Sequence, residues 1–171
     1  MSWPDAAALR ILIVSSTNRF RSPLAEHLMR KEWGDCEIAV TSAGIYAEEG
    51  GRMHEAAMFM ASAHGIPGLG AHRTRLLTQQ RMSHADLILT MDEHQQRQVL
   101  RIAPEDAGRV LLLGCWRGVE IGDPVLAQQT SLEWTFGLLQ SCICDWKQRL
   151  TTTSALRSRA APVGPRLRYM H

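Results

Sequence analysis

The chain has 171 residues, of which 45% are hydrophobic and 21% are charged, and its formal net charge at pH 7 is +2. This length and composition are typical of one globular domain that is long enough to bury a real core. A net charge so close to zero argues against bulk binding of nucleic acid.

The two ends of the chain lack the patterns found in between. Residues 1–8 are interpreted as an N-terminal extension, and the first ten residues contain no long apolar run. We therefore predict neither a signal peptide nor a membrane span, and we expect a cytoplasmic protein. Residues 151–171 mix Thr, Ser, Pro and four arginines without periodicity, which predicts a disordered basic tail. The folded domain is expected to span residues 9–150.

The segment 11–22 organises the chain. It opens with four apolar, mostly β-branched residues without polar alternation, which predicts a strand buried on both faces, as in a parallel sheet. The rest of the segment is polar, and Pro23 suits the first position of a helix with Ser22 as its N-cap. In this helix Glu26 is expected in the first turn and Gly34 at the end.

A polar loop in this position has a specific chemical capacity. Between the carboxyl end of a strand and the N-terminus of a helix, backbone N–H groups gather around one point and form an anion site. The guanidinium of Arg21 adds a planar, bidentate grip on phosphate. An ordinary βα turn with a satisfied N-cap fits the local pattern equally well.

The rest of the chain alternates predicted strands and helices. Strands are expected at residues 37–44, 85–90 and 109–113, and helices at residues 55–64, 77–82, 91–101 and 130–150. This alternation predicts an α/β fold with a four-stranded parallel sheet, doubly wound, and helices on both faces. The ligand of such a sheet binds at the carboxyl ends of the strands beside the switch in strand order, where residues 15–21 lie.

Other residues have a simple structural interpretation. Met58, Phe59 and Met60 are expected in the core, and Arg73 and Arg75 at the surface or in ion pairs. Residues 46–54 fit a solvated loop, and Asp123-Pro124 on its own is typical of a turn. Neither C-x-x-C spacing nor a paired histidine pattern is present, so we predict no metal site and no cofactor. The cysteines are interpreted as small buried hydrophobes: Cys36, Cys115, Cys142 and Cys144.

Residues 14–26 resemble the phosphate loop of the low-molecular-weight protein tyrosine phosphatases. That family's pattern is a cysteine nucleophile, five residues, an arginine, and then Ser-Pro-x-Ala-Glu. The matching residues are Asn18, Arg21, Ser22, Pro23, Ala25 and Glu26. Further blocks at 41–44, 85–91 and 123–124 follow in the family's order and spacing, so the similarity covers residues 9–150. The branch it resembles most sits beside bacterial exopolysaccharide tyrosine kinases.

The resemblance implies a phosphotyrosine protein phosphatase I-like fold and a role for each matching position. Ser15 stands at the position of the nucleophile, Arg21 would stabilise the phosphoryl group, and Asp123 would be the general acid. The residues implied in phosphate binding are Ser16, Thr17, Asn18, Arg19, Phe20, Arg21 and Ser22. The implied wall of the substrate cleft contains Tyr46, Met53, His54 and Val125.

The loop also departs from the family pattern. Ser15 replaces the cysteine, Thr17 a glycine, Arg19 an aliphatic residue and Phe20 a second cysteine. If position 17 requires a glycine's φ, the Cβ of Thr17 is expected to distort the loop at a cost of about 1–2 kcal/mol. Arg19 is expected either to add positive charge at the rim or to fold over the loop. Glu48 and Glu49 would repel acidic substrates.

Three functions follow from these matches and departures. The chain is an impaired phosphatase homologue that binds phosphotyrosine or free oxyanions, an active tyrosine phosphatase of exopolysaccharide biosynthesis that uses Asp123 as acid, or a non-catalytic module that regulates a tyrosine kinase. The implied partners are a phosphotyrosine protein, such as an exopolysaccharide tyrosine autokinase, and inorganic phosphate or a similar oxyanion. The related arsenate reductases need several redox cysteines near the loop, and this loop has none.

Overall fold

The computed structural model describes residues 9–34, 38–124 and 129–159. Four strands lie in these ranges: β1 (Leu9–Ser15), β2 (Ile38–Gly44), β3 (Leu87–Thr90) and β4 (Val110–Leu112). They form one parallel sheet in the order β2-β1-β3-β4. The predicted four-stranded parallel sheet is therefore confirmed, and its strand order reverses at β1.

Five α-helices connect and cover the strands: α1 (Arg21–Trp33), α2 (Glu55–Ala63), α3 (Gln79–Ser83), α4 (Glu93–Ile102) and α5 (Gln129–Arg159). Short 3₁₀ turns occupy residues 69–71, 104–108 and 115–117. Among the described residues, no helix combines the length and the apolar content that a membrane crossing requires.

The core lies on both faces of the sheet, because successive residues of β1 point to opposite sides. Ile11 and Ile13 pack into one cluster with α1, α2 and α5. Leu12 and Val14 pack into a second cluster with residues of α3 and α4. The uninterrupted apolar run of β1 is therefore explained by burial on two sides, as the sequence predicted.

Helix α5 continues nine residues beyond its predicted end at residue 150. The prediction of a disordered tail from residue 151 is wrong for residues 151–159. The segment contains neither Gly nor Pro before Pro162, so nothing in its backbone chemistry stops a helix that has already begun. Residues 160–171 and the N-terminal extension 1–8 lie outside the described ranges.

Helical periodicity corrects two predictions about apolar side chains. Met60 is fully buried, but Met58 is 37% exposed and Phe59 is 54% exposed. Likewise Cys142 is buried, whereas Cys144 is exposed and Cys115 is half-buried. A helix turns 100° per residue, so adjacent side chains cannot all face the same core. The fourth cysteine, Cys36, lies outside the described residues.

Candidate functional site

The polar segment after β1 lies at the switch in strand order. β1 ends at Ser15, and the segment 16–20 leads into α1. Its first carbonyls are held by the chain that follows β2, because the amide of Ile45 donates to Ser15 O at 3.0 Å and that of Tyr46 donates to Ser16 O at 2.8 Å. The loop thus occupies the carboxyl edge of the sheet, where parallel α/β proteins bind their ligands.

Helix α1 begins at Arg21, two residues before the predicted start. Phe20 occupies the N-cap position and makes no side-chain capping bond. Ser22 is therefore not the cap: it is the second helical residue, and its hydroxyl lies 2.6 Å from that of Ser15. Pro23 is tolerated one position further in, because N–H groups of the first turn need no intrahelical partner.

Several amides of the loop are left without a protein acceptor. Within the described residues, the backbone N–H groups of Ser16, Thr17, Arg19 and Phe20 donate to no protein atom. The adjoining N-terminus of α1 contributes the positive end of the helix dipole. Unpaired amides beside a helix N-terminus are the structural elements of an anion-binding loop.

Asn18 fixes the shape of this loop. It has φ 55°, the only positive φ at a non-glycine position in the described residues, and asparagine tolerates this region better than most residues. Its buried side chain donates to Ser22 Oγ at 3.0 Å and Ser42 Oγ at 2.8 Å, and it accepts from the amide of Arg75 at 2.9 Å. The side-chain amide of Asn18 therefore bonds protein partners, and a role of Asn18 in phosphate binding stays a prediction.

The distortion expected at Thr17 is not found. Thr17 is exposed and does not adopt a positive φ, so its Cβ meets no backbone penalty there. The close approach occurs instead at Gly44, the last residue of β2. A Cβ added to Gly44 would lie 2.7 Å from both Asn18 N and Thr17 C, so only glycine lets the loop pack against this strand.

Glu26 braces the loop from behind, and the structure places it beyond the first turn of α1, contrary to the prediction. Its carboxylate is fully buried and accepts a hydrogen bond from Ser42 Oγ at 2.5 Å. Arg30 lies 2.6 Å from one carboxylate oxygen and Arg75 lies 3.5 Å from the other. The ion-pair interpretation of Arg75 is therefore confirmed, with a buried partner.

His72 belongs to the same buried network, which the sequence did not reveal. Its Nε2 lies 3.3 Å from Asn18 Oδ1, and its Nδ1 lies 3.7 Å from Glu26. Burial, together with the positive charge of Arg75, lowers the pKa of His72 to about 4, so the ring is neutral at pH 7. Nothing near residue 72 in the sequence signals a contact with residue 18, 54 positions away.

Arg21 is buried and faces the segment after β4. Its guanidinium donates to Ile121 O at 2.8 Å and lies 3.3 Å from Asp123 and 3.7 Å from Asp92. Burial lowers the pKa of Arg21, and the two carboxylates oppose that change. The structure thus brings the predicted Arg21 and Asp123 together. Asp92, which also caps α4 through the amide of Gln95, is a partner that sequence reasoning missed.

Ser15 is 2% exposed and lies at the base of the loop. Its hydroxyl contacts Ser22 Oγ and accepts from the amide of Asn18 at 3.3 Å. Ser15, Ser22, Asn18, Ser42 and Glu26 are connected by hydrogen bonds. The Asn18 amide group donates to both Ser22 and Ser42, so this connection does not carry the Ser15 proton to Glu26. In the described part of the chain, no carboxylate or imidazole is hydrogen-bonded to Ser15.

The residues of the predicted wall have different environments. Tyr46 is 64% exposed and accepts a hydrogen bond from Gln98 at its hydroxyl. Met53 is buried, and His54 caps α2 by accepting from the amide of Ala56 at 3.1 Å. Their segment contacts the loop through the amide of His54, which donates to the carbonyl of Arg19 at 2.9 Å. Val125 lies outside the described residues.

Gln95 is a further residue that sequence reasoning did not select. It is buried, its Nε2 donates to Ser16 Oγ at 3.2 Å, and its Oε1 accepts from the amide of Met91 at 3.1 Å. Gln95 therefore ties the loop to the first turn of α4. A glutamine three residues after an N-cap residue such as Asp92 is a common pattern at the start of a helix. That pattern does not predict the hydrogen bond from Gln95 to Ser16.

One cluster has donor atoms of the types that bind metal ions. Glu26, His27 and His72 offer ligand atoms within 4.8 Å of one another. The carboxylate already contacts two guanidiniums, those of Arg30 and Arg75, so a divalent cation would enter an environment that is positively charged. This geometry favours a buried ion-pair cluster over a metal centre.

Comparisons with known proteins agree with this architecture. The family model of low molecular weight phosphotyrosine protein phosphatase matches residues 10–155. The low molecular weight protein-tyrosine-phosphatase Etp of Escherichia coli K12 is 35% identical over 142 residues, which cover 82% of this chain and 94% of Etp. This match therefore extends along most of both chains.

Solved structures give the same result. The tyrosine phosphatase AmsI of Erwinia amylovora has a TM-score of 0.78 and 32% identity, covering 86% of this chain and 97% of AmsI. The tyrosine phosphatase Wzb of Escherichia coli K30, solved in complex with sulphate, has a TM-score of 0.76 and 30% identity, covering 82% and 97% of the two chains. Together with the family model, these similarities show that the chain belongs to the low molecular weight phosphotyrosine protein phosphatase family.

Proposed function

We propose that this protein binds phosphotyrosine, or a free phosphate-like oxyanion, in the loop of residues 15–22, and that it hydrolyses the ester poorly or not at all. The observation that carries the proposal is a loop with unpaired amides beside buried Arg21, in which a serine lies where the family pattern has its cysteine. The loop has the donors for an anion but lacks the sulfur nucleophile.

The binding half of the proposal depends on charge. A phosphate dianion in the loop would accept from the amides of residues 16, 17, 19 and 20 and from the guanidinium of Arg21. The Ser15 hydroxyl carries no charge, so it does not repel the dianion as a thiolate would. The Ser22 hydroxyl accepts from Asn18 and lies 2.6 Å from Ser15 Oγ and 3.5 Å from Ala43 O. When it donates to Ser15, the nearer acceptor, the Ser15 hydrogen can point to the ligand.

The catalytic half depends on the nucleophile. An alcohol is far less acidic than a thiol, and the dipoles that ionise a cysteine do not ionise a serine at neutral pH. No described base is hydrogen-bonded to Ser15 to remove its proton. Loss of an essential nucleophile costs on the order of 10³- to 10⁶-fold in rate, which raises the barrier by roughly 4–8 kcal/mol.

Calorimetry tests the binding. Titration with phosphate or vanadate is expected to give a micromolar to millimolar Kd, and Arg21→Ala is expected to abolish the heat signal. The matched control is Arg101→Ala, an exposed arginine in the last turn of α4. Absence of anion binding to a folded protein would refute the proposal.

One observation favours a second function, that of an active tyrosine phosphatase. Asp123 lies 3.3 Å from Arg21, close enough to protonate a phenolate whose phosphoryl group is held by that arginine. In this case Ser15 or a water molecule attacks phosphorus. Turnover of an aryl phosphate that disappears in Asp123→Asn supports this function, and turnover unaffected by the substitution indicates a contaminating enzyme.

The identity of the physiological ligand is also proposed. We infer a phosphotyrosine protein, and the resemblance of the chain points to an exopolysaccharide tyrosine autokinase as the partner. Co-purification of a tagged protein with a phosphorylated kinase, lost on treatment with an active phosphatase, is the expected result. Binding that survives both dephosphorylation and Arg21→Ala would instead indicate the non-catalytic interaction module.

A further inference from the structure

Arg19 is attached to the wall of the cleft instead of folding over the loop. Its backbone carbonyl accepts from the amide of His54 at 2.9 Å, and its Nε donates to Arg52 O at 3.1 Å. These two bonds join the loop and the wall side by side. They use one of the five guanidinium hydrogens of Arg19, and within the described residues its two terminal amino groups donate to no protein atom.

Among the described residues, neither Arg19 nor Arg52 has an acidic partner. Both side chains are exposed, and within the ranges that the structure describes no carboxylate lies within ion-pair distance of either guanidinium. The bond from Arg19 Nε to the backbone carbonyl of Arg52 places the two arginines on neighbouring segments, so both contribute positive charge at this edge of the loop. The pair is therefore suited to a negatively charged ligand group.

The wall is also less acidic than its sequence suggests. We expected Glu48 and Glu49 to repel acidic substrates. Glu49 instead pairs with Arg81 at 2.8 Å and accepts from the amide of Leu76 at 2.8 Å, so its charge is neutralised away from Arg19. Glu48 is the other acidic side chain of residues 46–54, and within the described part of the chain it has no ion-pair partner.

We infer that Arg19 and Arg52 form a basic rim that selects phosphotyrosine peptides with an acidic residue next to the phosphorylated one. This inference rests on the proposed function, because the phosphoryl group must occupy the loop before a flanking side chain reaches the rim. A neighbouring Asp, Glu or second phosphotyrosine presents the planar or tetrahedral oxyanion that a guanidinium binds in bidentate fashion.

The expected preference is moderate because the rim is exposed. Solvent-exposed ion pairs each contribute a small factor, and two of them are expected to strengthen binding about three- to tenfold. A phosphorylated flanking residue carries nearly twice the charge of a carboxylate and is expected at the upper end of that range. The preference is expected to weaken as salt screens the exposed charges.

Matched phosphotyrosine peptides test the inference in the full-length protein. One peptide carries Asp and Glu beside the phosphotyrosine, and the other carries Asn and Gln at the same positions. Fluorescence anisotropy gives the Kd of each for the unchanged protein, for the double variant Arg19→Gln/Arg52→Gln, and for Arg101→Gln. The last variant removes one positive charge about 13 Å along α4 from Asp92 and serves as the control for loss of an exposed arginine outside the rim.

The results distinguish failure of the basic rim from failure of the phosphate-binding loop. The inference requires that the acidic peptide bind about three- to tenfold more tightly, that the double variant remove this difference, and that the control keep it. Equal binding of the two peptides, or a preference that persists in the double variant, overturns the basic rim and leaves the phosphate site intact. If neither peptide binds to the folded protein, the proposed function itself fails.

Discussion

Replacing Ser15 with cysteine tests whether the loop lacks only its nucleophile. The new thiol would lie beside the hydroxyl of Ser22, now 2.6 Å from Ser15 Oγ, and the amide of Asn18, now 3.3 Å away. It would also face the unpaired loop amides, the N-terminus of α1 and the cation of Arg21. Each of these groups favours the thiolate over the thiol.

The size of the effect follows from the thiolate population. Environments of this kind lower a cysteine pKa from about 8.5 to about 3.5–7.5, so roughly a quarter to nearly all of the sulfur is ionised at pH 7. Restoring the nucleophile is expected to lower the barrier by roughly 4–8 kcal/mol, which is about 10³- to 10⁶-fold in rate. Asp123 is then expected to act as acid, as its distance from Arg21 allows.

The assay is hydrolysis of p-nitrophenyl phosphate by Ser15→Cys, compared with the unchanged protein and with Ser15→Cys/Asp123→Asn. Activity is expected in the first variant and is expected to fall strongly in the double variant. Two results would refute the reasoning. A folded Ser15→Cys protein that binds phosphate without turnover would show that the loop geometry is also impaired. An unchanged protein as active as the variant would show that serine does not limit the reaction.

Three further predictions concern the loop and its support. Asn18→Ala removes the side-chain bonds that shape the loop, and we expect a loss of about 2–4 kcal/mol in urea unfolding together with loss of phosphate binding. Gly44→Ala places a Cβ 2.7 Å from the loop backbone, so calorimetry should show weakened phosphate binding even where the protein stays folded. His72 has a pKa of about 4 in the folded state against 6.5 as the ordinary value, so the unfolded chain binds the proton first as pH falls. Stability is therefore expected to be greatest above pH 6.5 and to fall by about 2–3 kcal/mol between pH 6.5 and pH 4. Urea unfolding at several pH values checks this, and a His72→Gln protein with an unchanged pH slope would contradict it.

Charged side chains from several elements surround the ring of His72. Glu26 of α1 lies 3.7 Å from its Nδ1, and Arg75, His27, Arg30 and Arg73 supply charges that disfavour the protonated ring. Burial is the largest cause, so lowering the salt concentration is expected to change the slope only slightly.

The architecture could be predicted from local residue patterns, and the same patterns point to the loop after β1 as the candidate site. The apolar run before residue 15 and the alternation of strands and helices predicted a parallel sheet, and the rule for such sheets placed the ligand after the first strand. The prediction of the sheet succeeds because the periodicity of apolar residues is a local pattern. The roles proposed for Arg21 and Asp123 depend on the resemblance to a family, because 102 residues separate the two in the sequence.

The contacts that hold the loop could not be predicted from the sequence. Asn18, Ser42 and His72 come from three segments that meet behind the loop, and Glu26, expected at a helix start, lies buried among them. The same is true of Arg19, whose bond to Arg52 O crosses 33 residues. No local pattern encodes such contacts, because they depend on which segments the packed core brings together and on how far each helix is rotated against the sheet.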